Sequence, residues 1–213
     1  MTRFESGGRF ISLEGGEGVG KSTQARALAD ALARRGIECE ITREPGGSPG
    51  AEAIRDLLMA GAVDRWSPHA EALLFAAARS DHIDRRIRPA VAAGRWVICD
   101  RFIDSTRAYQ GVAGGIDDGA ILALHAFGSR GLLPDRTLVL TLPDAEAAER
   151  ASMRDGAAND RFGLRDEHFH SAVNAAFHRF AEAEPERFRL IDAKGAKADV
   201  TARLVDALAD WLP

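Results

Sequence analysis

Lysine, cysteine and tyrosine are scarce in this sequence of 213 residues: it has three Lys, two Cys and one Tyr, beside 25 Arg. Two cysteines do not make a disulfide scaffold. Cys39 and Cys99 lie in short apolar or alternating runs that read as strands, so packed, reduced thiols and a cytoplasmic location are expected. No apolar stretch approaches the ~18 residues of a membrane span, and the residues after Met1 lack the apolar run and small-residue cleavage site of a signal peptide, so no membrane association is expected. Linkers rich in Pro, Ser and Gly are missing, as are repeats and low-complexity tracts, which leaves a single domain over 1–213. A net charge of −4 argues against a nucleic-acid partner. What is present is a hydrophobic content of 46%, which excludes a disordered chain. A chain of this length buries roughly 70% of its unfolded surface.

Periodicity alternates between short strands and helices. Strands are expected at 9–14, 38–42, 96–99, 136–142 and 188–191. Helices are expected at 21–35, 49–59, 68–93, 144–153, 167–182 and 197–211. This pattern predicts an α/β fold of three layers, α/β/α, with a five-stranded parallel sheet covered on both faces. Right-handed crossovers then bring the strand C-termini to one edge, where ligands bind.

Directly after the first strand stands Gly15-Gly16-Glu17-Gly18-Val19-Gly20-Lys21-Ser22-Thr23, which fits G-x-x-x-x-G-K-[ST] at the start of a helix. Glycines let backbone N–H groups converge on an anion, and the helix N-terminus adds partial positive charge. Lys21 reaches the β/γ-phosphates as a point charge, and the Ser22 hydroxyl suits Mg²⁺. The bland alternative is a glycine-rich turn, which the strand–loop–helix setting disfavours. A guanine-reading N-K-x-D element and an L-S-G-G-Q signature are both missing, which disfavours a GTPase switch and a transporter ATPase. A small-molecule kinase, or a non-catalytic ATP-binding regulator, remains.

Other residues leave two readings each. Arg43-Glu44-Pro45-Gly46-Gly47 is either a charged turn or part of an acceptor site. Phe75 and Arg79 share a helix face, as a base-stacking ring with a guanidinium, or as a core Phe with a snorkelling Arg. Asp100, at the end of a buried strand, needs a partner or a metal. Glu17 opposes the electrostatics of its own loop unless it points away from ATP into solvent. Between Pro143 and Asp166, Arg150, Arg154, Arg161 and Arg165 form either a solvated surface or a lid over phosphates. The six His make no metal-ligand spacing with either Cys, and His168 and His170 are expected to face solvent.

Taken together, E-G-x-E-G-x-G-K-S-T at 14–23, T-R-E-P-G-G at 42–47, F-A-A-A-R at 75–79, D-R-F at 100–102 and S-T-x-A-Y-Q-G at 105–111 resemble the thymidylate kinase family in order and spacing, from about residue 9 to the C-terminus. The resemblance implies transfer of the γ-phosphoryl of ATP to thymidine 5′-monophosphate (dTMP) with Mg²⁺, in deoxythymidine nucleotide biosynthesis, by a homodimer. It also implies that Phe75 stacks on thymine, Arg79 meets the base edge, and Thr106 and Gln110 neighbour the base. Tyr109 lies beneath the deoxyribose and Glu17 faces its 3′-hydroxyl. Arg43 and Arg101 hold the acceptor phosphate, and Asp100 lies near Mg²⁺. No P-loop variable position is basic, so the chain is similar to the bacterial-type subclass whose catalytic arginine comes from the lid. Arg154 is then expected at the transferred phosphoryl, Arg161 in support and Arg150 on adenine. Asp160-Arg-Phe-Gly163 departs from the usual D-R-x-E, which leaves one lid contact open. A kinase for another nucleotide is the rival within the same fold.

Overall fold

Five strands, β1 (Phe10–Glu14), β2 (Cys39–Arg43), β3 (Trp96–Asp100), β4 (Arg136–Thr141) and β5 (Phe188–Asp192), form one all-parallel sheet in the order β2-β3-β1-β4-β5. They are seen in a computed structural model that describes residues 7–155 and 162–212, with the side chains of 151–155 outside that description. Ser12 of β1 lies opposite Cys99 of β3 on one side and Thr137 of β4 on the other. The first strand is thus central, and its C-terminal end is the middle of the sheet edge.

The helices follow in chain order: α1 (Lys21–Ala33), α2 (Pro49–Met59), α3 (Pro68–His82), α4 (Arg88–Ala92), α5 (Ile103–Thr106), α6 (Asp118–Ser129), α7 (Asp144–Asp155), α8 (Glu167–Ala183) and α9 (Lys197–Asp206). Side chains alternate across the sheet. Ile11, Leu13, Ile98, Leu138 and Leu140 pack with Leu28 and Leu32 of α1 and Leu204 of α9. The opposite face carries two clusters: Phe10, Val97 and Cys99 meet Ile83, Phe102 and Ile121, while Val139 meets Val173 and Phe177 of α8. Both faces are covered, which is why β1 is buried along its whole length.

Two expectations are corrected, and helical segments that the sequence pattern did not indicate are added. The helix expected at 68–93 is interrupted by a π-helical turn at Ile83–Ile87, where the Arg88 N–H reaches Ile83 O. Pro89 has no N–H to return to the Arg85 carbonyl, and the wider turn accommodates that loss. Helical structure at Ile103–Val112 and α6 was not anticipated. α6 is apolar on most of its surface and so has little amphipathic signature, although Asp117 caps it by accepting from Ala120 N. The last helix stops at Asp206, and a 3₁₀ turn at Ala209–Trp211 brings Trp211 edge-on to Trp96 at 6.0 Å.

The abundance of arginine also acquires a structural reason. Arg107 donates to Asp104, Asp118 and Glu184, and Arg187 donates to Asp104, Thr137 and Glu184. A planar guanidinium with five donors serves several acceptors at once, which an ammonium does with less geometric control. These arginines are buried tie-points rather than interchangeable surface charge.

Candidate active site

The phosphate loop leaves β1 through Gly15, whose φ of 128° and close approach to Leu140 O exclude a side chain: a Cβ there would lie 2.4 Å from that oxygen. It enters α1 through Gly20 at φ 94°. With glycine in the cap position, no side chain caps the first turn, and its N–H groups are available to an anion. Lys21 is buried, and its Nζ donates to Gly16 O at 2.6 Å and Gly15 O at 3.1 Å. Burial, then the neighbouring Arg101, pushes its pKa down to about 8. Ser22 Oγ donates to Asp100 Oδ2 at 2.5 Å, which joins the loop helix to the end of β3. Two hard oxygen donors side by side at a phosphate loop fit Mg²⁺ and its preference for carboxylate and hydroxyl oxygen.

Arg101 follows at φ 70°, a left-handed conformation that costs a non-glycine residue about 1–3 kcal/mol and needs support from its surroundings. That support is on both sides: Arg101 N donates to Leu13 O, and Phe102 N donates to Glu14 Oε1 at 2.7 Å. The conformation aims the guanidinium at Glu17 Oε1, 2.5 Å away, and places it 5.0 Å from the Tyr109 ring centre. The Tyr109 hydroxyl donates to the same Glu17 oxygen at 3.1 Å. Glu17 is therefore held by two side chains, which answers why a carboxylate sits in an anion-binding loop and displaces the solvent-facing alternative.

Glu14 lies fully buried beneath this group and also accepts from Ser105 Oγ at 2.6 Å. Burial, reinforced by Asp104, pushes its carboxyl up to about 8. A carboxyl with a raised folded pKa stabilises the fold fully below its unfolded value of about 4.5 and loses that contribution as pH rises through about 8. Glu14→Gln keeps an acceptor for Phe102 N but has no charge to bury. Urea unfolding of the native chain should therefore weaken more between pH 5.5 and 8.5 than that of the variant. Parallel losses would contradict a protonated Glu14.

At the end of β2, Glu44 N donates to Asp100 O, and the Glu44–Pro45 peptide is cis. Arg79 is 3% exposed; its Nε donates to Glu44 Oε2 at 2.7 Å and its Nη2 to Thr106 Oγ1 at 2.8 Å. The snorkelling alternative is excluded. Phe75, one turn earlier, meets Phe162 edge-on at 5.7 Å, and Tyr109 lies 6.3 Å from Phe162, so three rings form one apolar wall. Gln110 Nε2 donates to Glu71 Oε1.

These groups border one cleft of about 630 Å³, within the range of small-molecule sites. The cleft brings together Glu17, Gly18, Gly20, Lys21, Ser22 and Thr23 with Arg43, Phe75, Arg79, Asp100, Arg101, Thr106, Tyr109, Gln110 and Arg150. Gly15, Gly16 and Val19 belong to the loop without lining the cleft. Arg43 is half exposed and paired with Glu52 at 3.0 Å. Arg150 donates to Glu146 at 2.5 Å and, at 3.4 Å, to Ala193 O. Arg161 lies outside the described residues, as does the side chain of Arg154. His168 is exposed, whereas His170 is only half so. Sequence reasoning missed Arg55 and Met59, four apart on α2, and Phe162. The i, i+4 spacing of the α2 pair was a signal that could have been read.

A phosphate loop at the end of the central strand, opening on a cleft with an aromatic wall and buried arginines, defines a phosphotransferase of the P-loop class. The family described as thymidylate kinase matches over residues 13–204. The chain belongs to the thymidylate kinase family. It is 63% identical over 206 residues to a thymidylate kinase of Rhizorhabdus wittichii, covering 97% of this chain and 99% of that one. It is 51% identical over 205 residues to one from Caulobacter vibrioides, covering 96% and 98%. A crystal structure of thymidylate kinase from Ehrlichia chaffeensis superimposes with a TM-score of 0.76 at 31% identity, covering 95% of this chain and 99% of that one.

Proposed function

We propose that this chain transfers the γ-phosphoryl group of ATP to dTMP, giving dTDP and ADP, and that the cleft is where the two nucleotides meet. The observation that carries the reading is the joining of the phosphate loop and the Phe75–Arg79 face in one cavity. The loop N–H groups and Lys21 hold the β- and γ-phosphates. Ser22 and Asp100 would hold Mg²⁺, which supplies charge neutralisation on the phosphate oxygens. Phe75 stacks on thymine, with Thr106 and Gln110 beside the base. Tyr109 lies under the sugar and disfavours a 2′-hydroxyl, Glu17 meets the 3′-hydroxyl, and Arg43 and Arg101 draw in the acceptor phosphate. That phosphate is already an anionic nucleophile, so no general base is required, and the chain's work is positioning and charge stabilisation for in-line transfer.

We read 143–166 as a lid on a single nucleoside monophosphate kinase domain, with Arg150 on adenine, Arg154 at the transferred group and Arg161 supporting it. Arg154→Ala should lower kcat by about 10²-fold with little change in either KM, because its contact forms in the transition state. A change confined to KM would assign the residue to binding. For the reaction itself, ³¹P NMR of ATP, dTMP and Mg²⁺ with the protein should show dTDP and ADP growing in equal amounts. ADP and inorganic phosphate without dTDP would remove the reading.

A cytoplasmic location fits the free thiols of Cys39 and Cys99. Among the described residues no helix is long and apolar enough to cross a membrane. A homodimer fits the adjoining faces of α2, α3 and α6, which leave Leu57, Leu73 and Phe127 exposed. Sedimentation at twice the chain mass is expected, and a monomer at micromolar concentration would overturn that assignment.

A further inference from the structure

Behind Arg79 stands a chain of buried polar groups that no step above uses. Glu44 Oε2 accepts from Arg79 Nε, and its other oxygen, Oε1, lies 3.0 Å from His82 Nδ1. His82 Nε2 lies 2.7 Å from Thr42 Oγ1. All four residues are buried, with His82 at 0% exposure. Burial alone would raise the Glu44 carboxyl, but Arg79 and His82 outweigh it and hold it below the ordinary carboxylate range. An ionised carboxylate only accepts, so Nδ1 carries the proton of the His82–Glu44 bond and the ring orientation is set.

Local backbone makes room for this arrangement. Gly47 has φ 89°, and a Cβ there would lie 2.4 Å from His82 Nε2 and 2.6 Å from Thr42 Oγ1. Both the first and the last residue of Thr42–Gly47 are thus explained by the imidazole. Among the described residues, Glu44, His82 and Cys99 are the one cluster with metal-ligand spacing. Both carboxylate oxygens are committed within the protein, and the Arg79 guanidinium is bound to one of them, so the cluster works as a clamp and not as a cation site.

Arg79 has three guanidinium nitrogens. Nε is taken by Glu44, and Nη2 by Thr106 Oγ1 and the Phe102 carbonyl at 3.2 Å. Nη1 has no protein partner among the described residues, and Arg79 borders the cleft beside Phe75. We propose that Thr42 and His82 are positioning residues for reading the acceptor base. Thr42 holds His82, His82 holds Glu44, Glu44 holds Arg79, and the free Nη1 donor is thereby fixed toward the base edge. A fixed donor donates to a pyrimidine carbonyl oxygen and disfavours an exocyclic amino group, which is itself a donor. The inference rests on Arg79 meeting the base: an Arg79→Ala variant that keeps the dTMP-over-dCMP preference would fail that reading, whereas a lost preference there beside an unchanged one in His82→Leu would fail the clamp alone.

The test is steady-state kinetics with dTMP and dCMP. His82→Leu should raise KM for dTMP about tenfold and reduce the dTMP-over-dCMP preference by about the same factor, the effect of loosening one charge-assisted hydrogen bond. The kcat and the KM for ATP should stay within about twofold. His82→Asn, whose amide can donate to Glu44, should restore most of the preference. Thr42→Val, nearly isosteric, should show a smaller shift in the same direction, and it carries the test if His82→Leu does not fold. In an Arg79→Ala background His82→Leu should add nothing further. Equal losses for dTMP and ATP, an unchanged base preference, a His82→Asn as poor as His82→Leu, or full additivity with Arg79→Ala would each overturn the proposal.

Discussion

Replacing Lys21 by Ala should lower kcat/KM for phosphoryl transfer by about 10³-fold, or ~4 kcal/mol of transition-state stabilisation, the upper range for removing one preorganised charge donor. The size follows from burial: Lys21 is 7% exposed, so little water replaces the lost ammonium. Its two partners are carbonyl oxygens of the loop itself, Gly15 O and Gly16 O, which place Nζ at the loop with no carboxylate bound to it among the described residues. Lys21→Arg should recover little, because a planar fork cannot occupy the point between those carbonyls as an ammonium does. Initial rates at subsaturating ATP and dTMP check both variants. Turnover near wild type for Lys21→Ala would mean that the ammonium does not reach the phosphates.

The largest effect on stability is expected at Asp104. It is fully buried, accepts from Arg187 through both oxygens, from Arg107 at 3.1 Å and from Thr137 Oγ1. Removing one member of a buried ionic group leaves its partners uncompensated at a cost of about 3–5 kcal/mol. Glu184 and Asp118 remain to share the two guanidinium groups, so the lower end, about 3 kcal/mol, is expected for Asp104→Ala. In a chain of this size that is a fall in Tm of roughly 6–12 °C. Burial pushes the Asp104 carboxyl up, but Arg187 and Arg107 outweigh it and hold it below the ordinary aspartate range. Its contribution is therefore present above the unfolded value of about 3.9 and lost as pH falls through the lower folded value. Wild type and variant should converge in stability at strongly acid pH. A difference below about 1 kcal/mol at neutral pH would show that the arginines are adequately held without Asp104.

Several of these features were legible in the sequence because they obey fixed local rules. The phosphate loop depends on contiguous spacing, and the five strands on apolar runs bounded by glycine and charge. The shared face of Phe75 and Arg79 follows from helical geometry. What Arg79 does there was not legible, because its partners Glu44 and Thr106 come from two other segments, and only the parallel register of β2 and β3 brings them together. The same holds for Glu17, whose carboxylate made sense only once Arg101 and Tyr109 were seen around it. The π turn before Pro89 was encoded by that proline, whereas α6, apolar on nearly every side, offered no periodic contrast to read. Of 25 arginines, sequence singled out those near the motifs. It did not distinguish Arg107 and Arg187, whose buried work depends on acidic residues up to 83 positions away.

One cleft is expected to join ATP to a thymine-bearing monophosphate. Release of ADP, measured across dTMP, dUMP, dCMP, dGMP and the ribose analogue of dTMP with ATP and Mg²⁺, tests it most directly. The highest kcat/KM is expected for dTMP, with rejection of dCMP through the fixed Arg79 donor and rejection of the 2′-hydroxy analogue at Tyr109. No turnover of dTMP, or a clear preference for a ribonucleotide, would contradict it.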